Sequence, residues 1–87
     1  MSKSLERNLI VNVRKGGDIL LAGRTMTEKE LESLVADRNA RASGTLKVKV
    51  RADRRAPYGF VARVLAAVER AGVARPFIDT KQEELEP

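Results

Sequence analysis

The residues best placed for binding chemistry are three cations that alternate along one strand-like segment. Residues 45–51 read Thr-Leu-Lys-Val-Lys-Val-Arg. Alternate residues of a strand point to the same face about 6.6 Å apart, so the three cations would form a ladder about 13 Å long. Such a ladder repels itself unless an anion lies nearby. The candidate anion-binding residues are Lys47, Lys49 and Arg51 in this segment, with Arg54 and Arg55 in the loop that follows.

Two interpretations of this cationic ladder stay open. Charged side chains on an exposed strand face commonly protect a sheet from aggregation, and that role needs no ligand. Binding to an anionic partner is the other interpretation. The chain carries 17 Lys and Arg against 12 Asp and Glu, a net charge of +5. Such a surplus favours nucleic acid, phospholipid head groups or cell-wall carboxylates as partners.

Catalytic chemistry has little support in the composition. The chain contains no Cys and no His. It therefore lacks thiolate nucleophiles, disulfides, the commonest general base and the usual transition-metal ligands. Carboxylates such as Asp18, Asp53 and Asp79 could act in pairs, but nothing in the sequence places two of them together. We expect a protein that is not an enzyme and uses no cofactor or metal.

A second group of residues begins at the last cation of the ladder: Arg51, Asp53, Pro57, Tyr58 and Gly59. We interpret this group as mainly structural, because loop Asp and Pro residues usually organise turns. Asp53 can accept backbone N–H groups, Pro57 can open a helix, and Tyr58 is expected to be a half-buried packing residue. Gly59 costs about 1 kcal/mol of helix propensity relative to Ala, and close packing against a sheet would justify it.

Four segments have the composition of β-strands. Apolar and β-branched residues alternate with polar ones, most clearly in the ladder segment. Paired glycines after the first segment predict a hairpin turn into the second, which Gly23-Arg24 breaks. Pro76 cannot donate to a ladder of backbone hydrogen bonds, so the last strand should lie at a sheet edge. The predicted strands are residues 9–13, 19–22, 45–51 and 73–79.

Two amphipathic helices separate the later strands. Thr27-Glu28-Lys29-Glu30 is a capping box that begins the first helix, and Ser43-Gly44 ends it. The second helix follows Pro57 and ends at Gly72, where a left-handed C-cap belongs. Each helix has one apolar side to bury. The sequence therefore predicts a single small α+β domain, β-β-α-β-α-β, with a mixed sheet of four or five strands and both helices packed on one face.

The segment Val48–Val61 resembles the ExbD/TolR family of biopolymer transport proteins. In that family a hydrophobic strand ends in Arg-Ala-Asp, a short linker follows, and Pro-Tyr-Gly opens a helix. The corresponding residues here are Arg51-Ala52-Asp53 and Pro57-Tyr58-Gly59. The Gly-rich hairpin, the Thr-initiated helix and the later Ala-Gly-Val helix end are also similar. The resemblance covers a domain at residues 9–79, between a flexible arm at 1–8 and an acidic flexible tail at 80–87.

The resemblance implies a non-enzymatic role in transport driven by proton motive force. Family members have one transmembrane helix and a periplasmic domain. They partner an ExbB/TolQ-like channel subunit, transmit force to TonB- or TolA-like proteins, and act as dimers; TolR-like domains also engage peptidoglycan. Pro76 is unexpected in a strand that the family often uses for pairing, so we expect a monomer or a weak homodimer, joined through a strand edge or the uncovered sheet face.

The resemblance also implies a location in the periplasm. The longest unbroken apolar run is Val64–Val68, far short of the roughly 20 residues that span a bilayer. No signal-peptide pattern opens the chain. We therefore expect the excised soluble domain of a single-pass inner-membrane protein, without the membrane helix that contacts the channel subunit.

The alternative interpretation is a small basic nucleic-acid-binding module. A net positive charge and a small α+β sheet suit such a module. Single-strand binders, however, stack bases on aromatic rings. The ladder has no interleaved aromatic residue, and Tyr58, Phe60 and Phe77 are the only aromatic residues of the chain. We expect no nucleic acid among its partners.

Overall fold

The computed structural model describes residues 7–80, which form five strands and two helices. The predicted α+β class, mixed sheet and two helices are confirmed, and the order is β-β-β-α-β-α-β. The arm and tail predicted at 1–8 and 80–87 fall outside the described residues except at their inner ends. The elements are β1 (Asn8–Val13), β2 (Ile19–Leu21), β3 (Arg24–Met26), α1 (Glu28–Arg41), β4 (Lys47–Ala52), α2 (Tyr58–Arg70) and β5 (Phe77–Thr80).

The sheet has the strand order β3-β2-β1-β4-β5. Strands β1, β2 and β3 are antiparallel neighbours, whereas β4 runs parallel to both β1 and β5. The parallel pairing of β4 with β5 is the one expected for two strands joined by a crossover helix, here α2. The central position of β4 puts the predicted cationic ladder in the middle of the parallel half.

The second strand ends just before Gly23, as predicted, but the prediction missed that the chain reverses there into a third strand, β3. Ala22 and Gly23 both have positive φ, 53° and 80°. Positive φ at two consecutive turn residues is the type I′ hairpin pattern, whose twist matches that of the flanking strands. Leu21 then pairs with Arg24 in the antiparallel register. The sequence does not indicate this turn, because Ala rarely adopts positive φ and the turn residues are Ala22-Gly23 rather than the typical Asn-Gly or Gly-Gly pair.

The alternation of apolar and polar residues along β1 and along β4 determines which face of the sheet is buried. Their register pairs Leu9 with Val48, Val11 with Val50 and Val13 with Ala52, and all six residues are buried. Side chains of both helices join the same core cluster, so both helices cover this one face. The helix residues in the core are Leu31 and Val35 of α1, and Val61, Val64, Ala67 and Val68 of α2.

Ion pairs hold the two helices side by side on that face. Arg63 Nη2 lies 2.7 Å from Glu28 Oε2, and Arg70 Nε donates to Glu32 Oε1 at 3.0 Å. Both pairs are partly exposed, and exposed ion pairs contribute little stability, so they align the helices more than they stabilise them. Neither helix within residues 7–80 has the length and hydropathy needed to cross a membrane.

Strand β5 begins later than predicted. The expected strand covered residues 73–79, whereas the observed one is Phe77–Thr80. Pro76 lies just before it, so the missing N–H interrupts no ladder. Val73 is buried in the core, although it lies outside the strand. The prediction that this strand lies at an edge is confirmed, since β4 is its one neighbour among the described strands.

Candidate binding surfaces

The cationic ladder lies on the face of the sheet that no described helix covers. Lys47 and Lys49 are exposed and Arg51 is half-buried, whereas the residues between them point into the core. This arrangement follows from period-two alternation along β4. The geometry predicted for the ladder is therefore present, on the open face.

A carboxylate on the neighbouring strand β5 partly neutralises the positive charge of the ladder. Lys49 Nζ lies 3.6 Å from Asp79 Oδ2 of β5, which compensates the central cation. Arg51 Nε is buried and has no hydrogen-bond partner among the described residues. A buried donor without an acceptor is uncommon in folded proteins. Lys47 and Arg51 are thus the ladder members for which no ion pair is found within the described part of the chain.

Two apolar side chains flank Lys49 on the open face. The register places Ile10 of β1 on one side and Phe77 of β5 on the other. Ile10 is 47% exposed and Phe77 is 71% exposed. Sequence reasoning missed both as surface residues. The alternation of Leu9, Val11 and Val13 on one face could have placed Ile10 on the other, but Phe77 required the register of β5. The open face is therefore mixed, apolar and cationic.

The loop between β4 and α2 is organised by a buried carboxylate. Asp53 is 1% exposed. Its Oδ1 accepts from Arg55 N at 2.8 Å and from Arg55 Nε at 3.0 Å, and its Oδ2 accepts from Arg55 Nη2 at 2.9 Å. Asp53 N donates to Val13 O at 2.9 Å, which ties the loop to β1. We call these contacts the Asp53–Arg55 clamp.

The clamp contains Arg55, one of the two loop arginines that were predicted as anion-binding residues. The Arg55 guanidinium is engaged by Asp53 in the planar, two-pronged geometry that arginine makes with carboxylates. Arg54 is exposed to solvent. The structure therefore does not place Arg55 alongside the ladder as an available cation.

Helix α2 begins immediately after the clamp. Pro57 is its N-cap residue, with φ −59°, and the Pro57 side chain makes no capping hydrogen bond. The Pro57 carbonyl accepts from Phe60 N at 3.0 Å and from Val61 N at 3.4 Å. The fixed φ of proline and the clamp upstream together set the direction in which the helix starts.

The packing roles predicted for Tyr58 and Gly59 are wrong. Tyr58 is 77% exposed rather than half-buried. Gly59 is exposed, and a Cβ added there would meet nothing within 4 Å, so it does not pack against the sheet. Phe60 has the close contact instead: a Cβ added to Gly17 would lie 2.8 Å from its ring Cδ2. Gly17 also has φ +94°, a conformation that favours glycine.

The chain is thus a small α+β domain whose mixed five-stranded sheet has both helices on one face. Its sequence matches the family model "Biopolymer transport protein ExbD/TolR" over residues 2–83 of the 87 residues in the chain. The chain therefore belongs to the ExbD/TolR family. No curated protein matches it.

Membership makes this chain part of a biopolymer transport system. The family consists of transport-associated proteins rather than enzymes, anchored in the inner membrane with a periplasmic domain. Its partners are membrane-complex proteins of the ExbB/TolQ and TonB/TolA kind. The nucleic-acid-binding alternative is not favoured.

Proposed function

We propose that this domain is the periplasmic part of an inner-membrane complex that converts proton motive force into work on TonB- or TolA-like proteins. An ExbB/TolQ-like channel subunit would supply the proton path. The match to the ExbD/TolR family over residues 2–83 is the observation that carries this proposal. The Asp53–Arg55 clamp supports it, because an element that receives force must be joined firmly to its sheet.

Loss and restoration of energy-dependent transport test this function. Deleting the gene in its host should abolish uptake or envelope maintenance that depends on the proton gradient, and the intact gene should restore it. The protein should also co-purify with a channel subunit of the ExbB/TolQ kind. Normal transport in the deletion strain would contradict the proposal.

We further propose that the cationic ladder contacts peptidoglycan. Lys47, Lys49 and Arg51 share the open face, and cell-wall peptides carry carboxylates that such a face attracts. The Lys49–Asp79 ion pair lowers the expected affinity of the ladder for peptidoglycan, because the Asp79 carboxylate competes with the peptidoglycan carboxylates for Lys49. Binding should therefore be modest and weakened by salt.

Charge reversal distinguishes this role from simple protection of the sheet. The double change Lys47→Glu and Lys49→Glu should leave the fold intact and reduce sedimentation with purified peptidoglycan. The matched control is Lys29→Glu with Arg41→Glu, which makes the same change in net charge on exposed positions of α1. If the folded ladder variant sediments as well as wild type at low salt, only the protective role of the ladder is left.

A weak homodimer is also part of the proposed function. Strand β5 is an edge of the described sheet, and Phe77 and Ile78 on it are both exposed. Exposed edge strands readily pair with another chain. Analytical ultracentrifugation over a concentration series should show a monomer or a dimer that dissociates on dilution. A tetramer that persists at all concentrations would contradict this.

A further inference from the structure

The three parallel strands of the sheet all begin at one end of the domain. The first residues of β1 and β4 pair with each other, Asn8 with Lys47, and β5 begins beside Lys49. Both helices finish at this end, because α1 leads into β4 and α2 leads into β5. The side chain of Asn39 in α1 accepts from Leu46 N at 3.1 Å, which joins the end of that helix to the start of β4.

Three exposed cations lie at these strand starts, and we call them the basic end. Arg7 precedes β1, Lys47 is the first residue of β4, and Arg75 lies two residues before β5. No ion pair is found for any of the three within residues 7–80. Residues 1–6 contain one Lys and one Glu, so they add no surplus of negative charge. Cations gathered in this way repel one another unless an anion lies nearby.

The helix ends do not account for the basic end. Cations in the last turn of a helix compensate the partial negative charge of its C-terminus. Arg38 and Arg41 lie in the last turn of α1, and Arg70 lies in the last turn of α2. Arg41 also pairs with Asp37, and Arg70 pairs with Glu32. The cations at the strand starts are therefore additional to those that compensate the helices.

Most carboxylates of the described residues lie toward the opposite end of the domain. Asp18 is in the β1–β2 turn, Asp53 is in the β4–α2 loop, and Glu28 and Glu30 are in the first turn of α1. Exposed Glu69, in the last turn of α2, is the carboxylate without an ion pair that residues 7–80 place near the strand starts. The domain is therefore electrically polarised, with its surplus of positive charge at the basic end.

We propose that the basic end docks on the anionic phospholipid headgroups of the inner membrane. The family is anchored in that membrane, so a bilayer lies within reach of the domain. Each basic residue near an anionic bilayer surface strengthens binding by about fivefold. Anchoring makes such weak contacts effective, because it keeps the local concentration of headgroups high. This inference rests on the proposed function, because it requires a domain that is held at the inner membrane.

Sedimentation of the purified 87-residue chain with lipid vesicles tests the proposal. Vesicles of phosphatidylglycerol and phosphatidylcholine in equal parts should bind the chain at low salt, and added salt should weaken the binding. Phosphatidylcholine alone should not bind it. Lys47 also belongs to the cationic ladder, so the variant changes only the other two cations. Arg7→Glu with Arg75→Glu should lower the partition coefficient at least about tenfold.

A matched variant controls for net charge. Arg24→Glu with Lys29→Glu makes the same change in charge at exposed positions on β3 and α1. This control should lower the partition coefficient by less than about threefold, because interactions beyond the Debye length are screened. Both double variants should keep the unfolding midpoint of wild type, because all four side chains are exposed.

A fluorescent label reports which end of the domain touches the vesicle. The chain contains no Cys, so a single Cys can be introduced and labelled with an environment-sensitive dye. With Ala74→Cys, exposed beside Arg75, the dye should become brighter on vesicles. With Gly16→Cys, exposed in the β1–β2 turn, it should not. This measurement keeps all the cations, so it does not depend on the folding of the charge variants.

Several results would overturn the proposal. Equal binding to vesicles with and without phosphatidylglycerol would exclude headgroup charge as the attraction. Equal losses in the two double variants, or equal dye responses at positions 16 and 74, would show that no particular end binds. If the Arg7→Glu, Arg75→Glu variant lost sedimentation with peptidoglycan but not with vesicles, the cell wall would be the occupant. The proposed function fails separately, when transport survives deletion of the gene, and vesicle binding by the purified chain does not depend on that result.

Discussion

Helix α1 begins with side chains that cap its own backbone, whereas α2 begins with none. Thr27 N donates to Glu30 Oε1 at 2.8 Å, and Glu30 N donates to Thr27 Oγ1 at 3.1 Å. At α2 the N-cap residue is Pro57, whose side chain makes no capping hydrogen bond, and the first turn contains Gly59. By local rules α1 should start readily and α2 poorly.

Tertiary contacts compensate for the weak start of α2. The Asp53–Arg55 clamp positions the chain just before it. Four residues of α2 are buried, against two of α1. Most helical stability in proteins comes from packing an apolar face rather than from propensity. Helix α1 therefore depends mainly on its own sequence, whereas α2 depends on a loop and a sheet formed elsewhere in the chain.

The largest effect should come from breaking the clamp at Arg55. In Arg55→Gln the Asp53 carboxylate keeps its burial but loses the two-pronged contact with the Arg55 guanidinium. Removing one partner of a buried ion pair is strongly destabilising, and we expect a loss of roughly 2–3 kcal/mol because Arg55 itself is partly exposed. Urea denaturation followed by circular dichroism measures the free energy of unfolding.

The exposed Asp37–Arg41 pair of α1 is the matched control for that change. Its atoms lie 3.0 Å apart, as close as those of the clamp, but both side chains are largely exposed. Asp37→Asn, which removes the charge with little change in helix propensity, should change the unfolding free energy by less than about 0.5 kcal/mol. Equal effects of the two changes would mean that burial does not distinguish the pairs.

Removing the carboxylate itself should cost less than removing its cation. In Asp53→Ala the buried charge disappears together with the acceptor, and the Arg55 side chain can turn to water. The Arg55 backbone N–H loses its partner, so we expect a loss of about 1–2 kcal/mol. An unchanged denaturation midpoint combined with lost transport would instead assign Asp53 a functional role.

A smaller effect is expected at the self-capped helix. Thr27→Ala removes the acceptor for Glu30 N and should lower the unfolding free energy by about 1 kcal/mol. Thr27→Ser keeps a hydroxyl in the same place and should stay close to wild type. A Ser variant as unstable as the Ala variant would show that the methyl group, rather than the cap, stabilises this end of α1.

The smallest effect should have the opposite sign. Gly59→Ala should raise the unfolding free energy, by at most about 1 kcal/mol, because helix propensity improves and nothing obstructs the new methyl group. Gly72→Ala is the control: its φ is +110°, and the added Cβ would lie 3.1 Å from Asn39 Nδ2. That change should destabilise the domain. Thermal unfolding of both variants measures the contrast. A Gly59→Ala variant that is less stable than wild type would contradict the prediction, because it would indicate that Gly59 packs against a neighbour.

Local sequence patterns predicted much of the fold. Period-two alternation located β4, the capping box located α1, and Gly72 marked the end of α2. The Arg-Ala-Asp and Pro-Tyr-Gly elements indicated the family that the comparison established. These features are readable because each depends on residues within a few positions of one another, where the backbone geometry is known in advance.

The surfaces could not be predicted in the same way. The pairing of Lys49 with Asp79, and the approach of Phe77 to the ladder, depend on the register of β4 with β5. The predicted boundaries of β5 were wrong, so the pairing of its residues with those of β4 could not be predicted. The hairpin into β3 was missed for a related reason. Ala22 adopts a positive φ that its residue type disfavours, and the pairing of β3 with β2 compensates for the strain at this turn.

The class of fold, the family, and the alternation that turns Lys47, Lys49 and Arg51 away from the core all follow from the amino-acid sequence. The contact of Arg55 with Asp53 and the exposure of Tyr58 and Gly59 were found in the folded structure. This division arises because alternation and capping follow from local backbone geometry. Exposure and ion pairing depend instead on which distant elements pack nearby, and at the first turn of α2 Phe60 has such a neighbour in the β1–β2 turn.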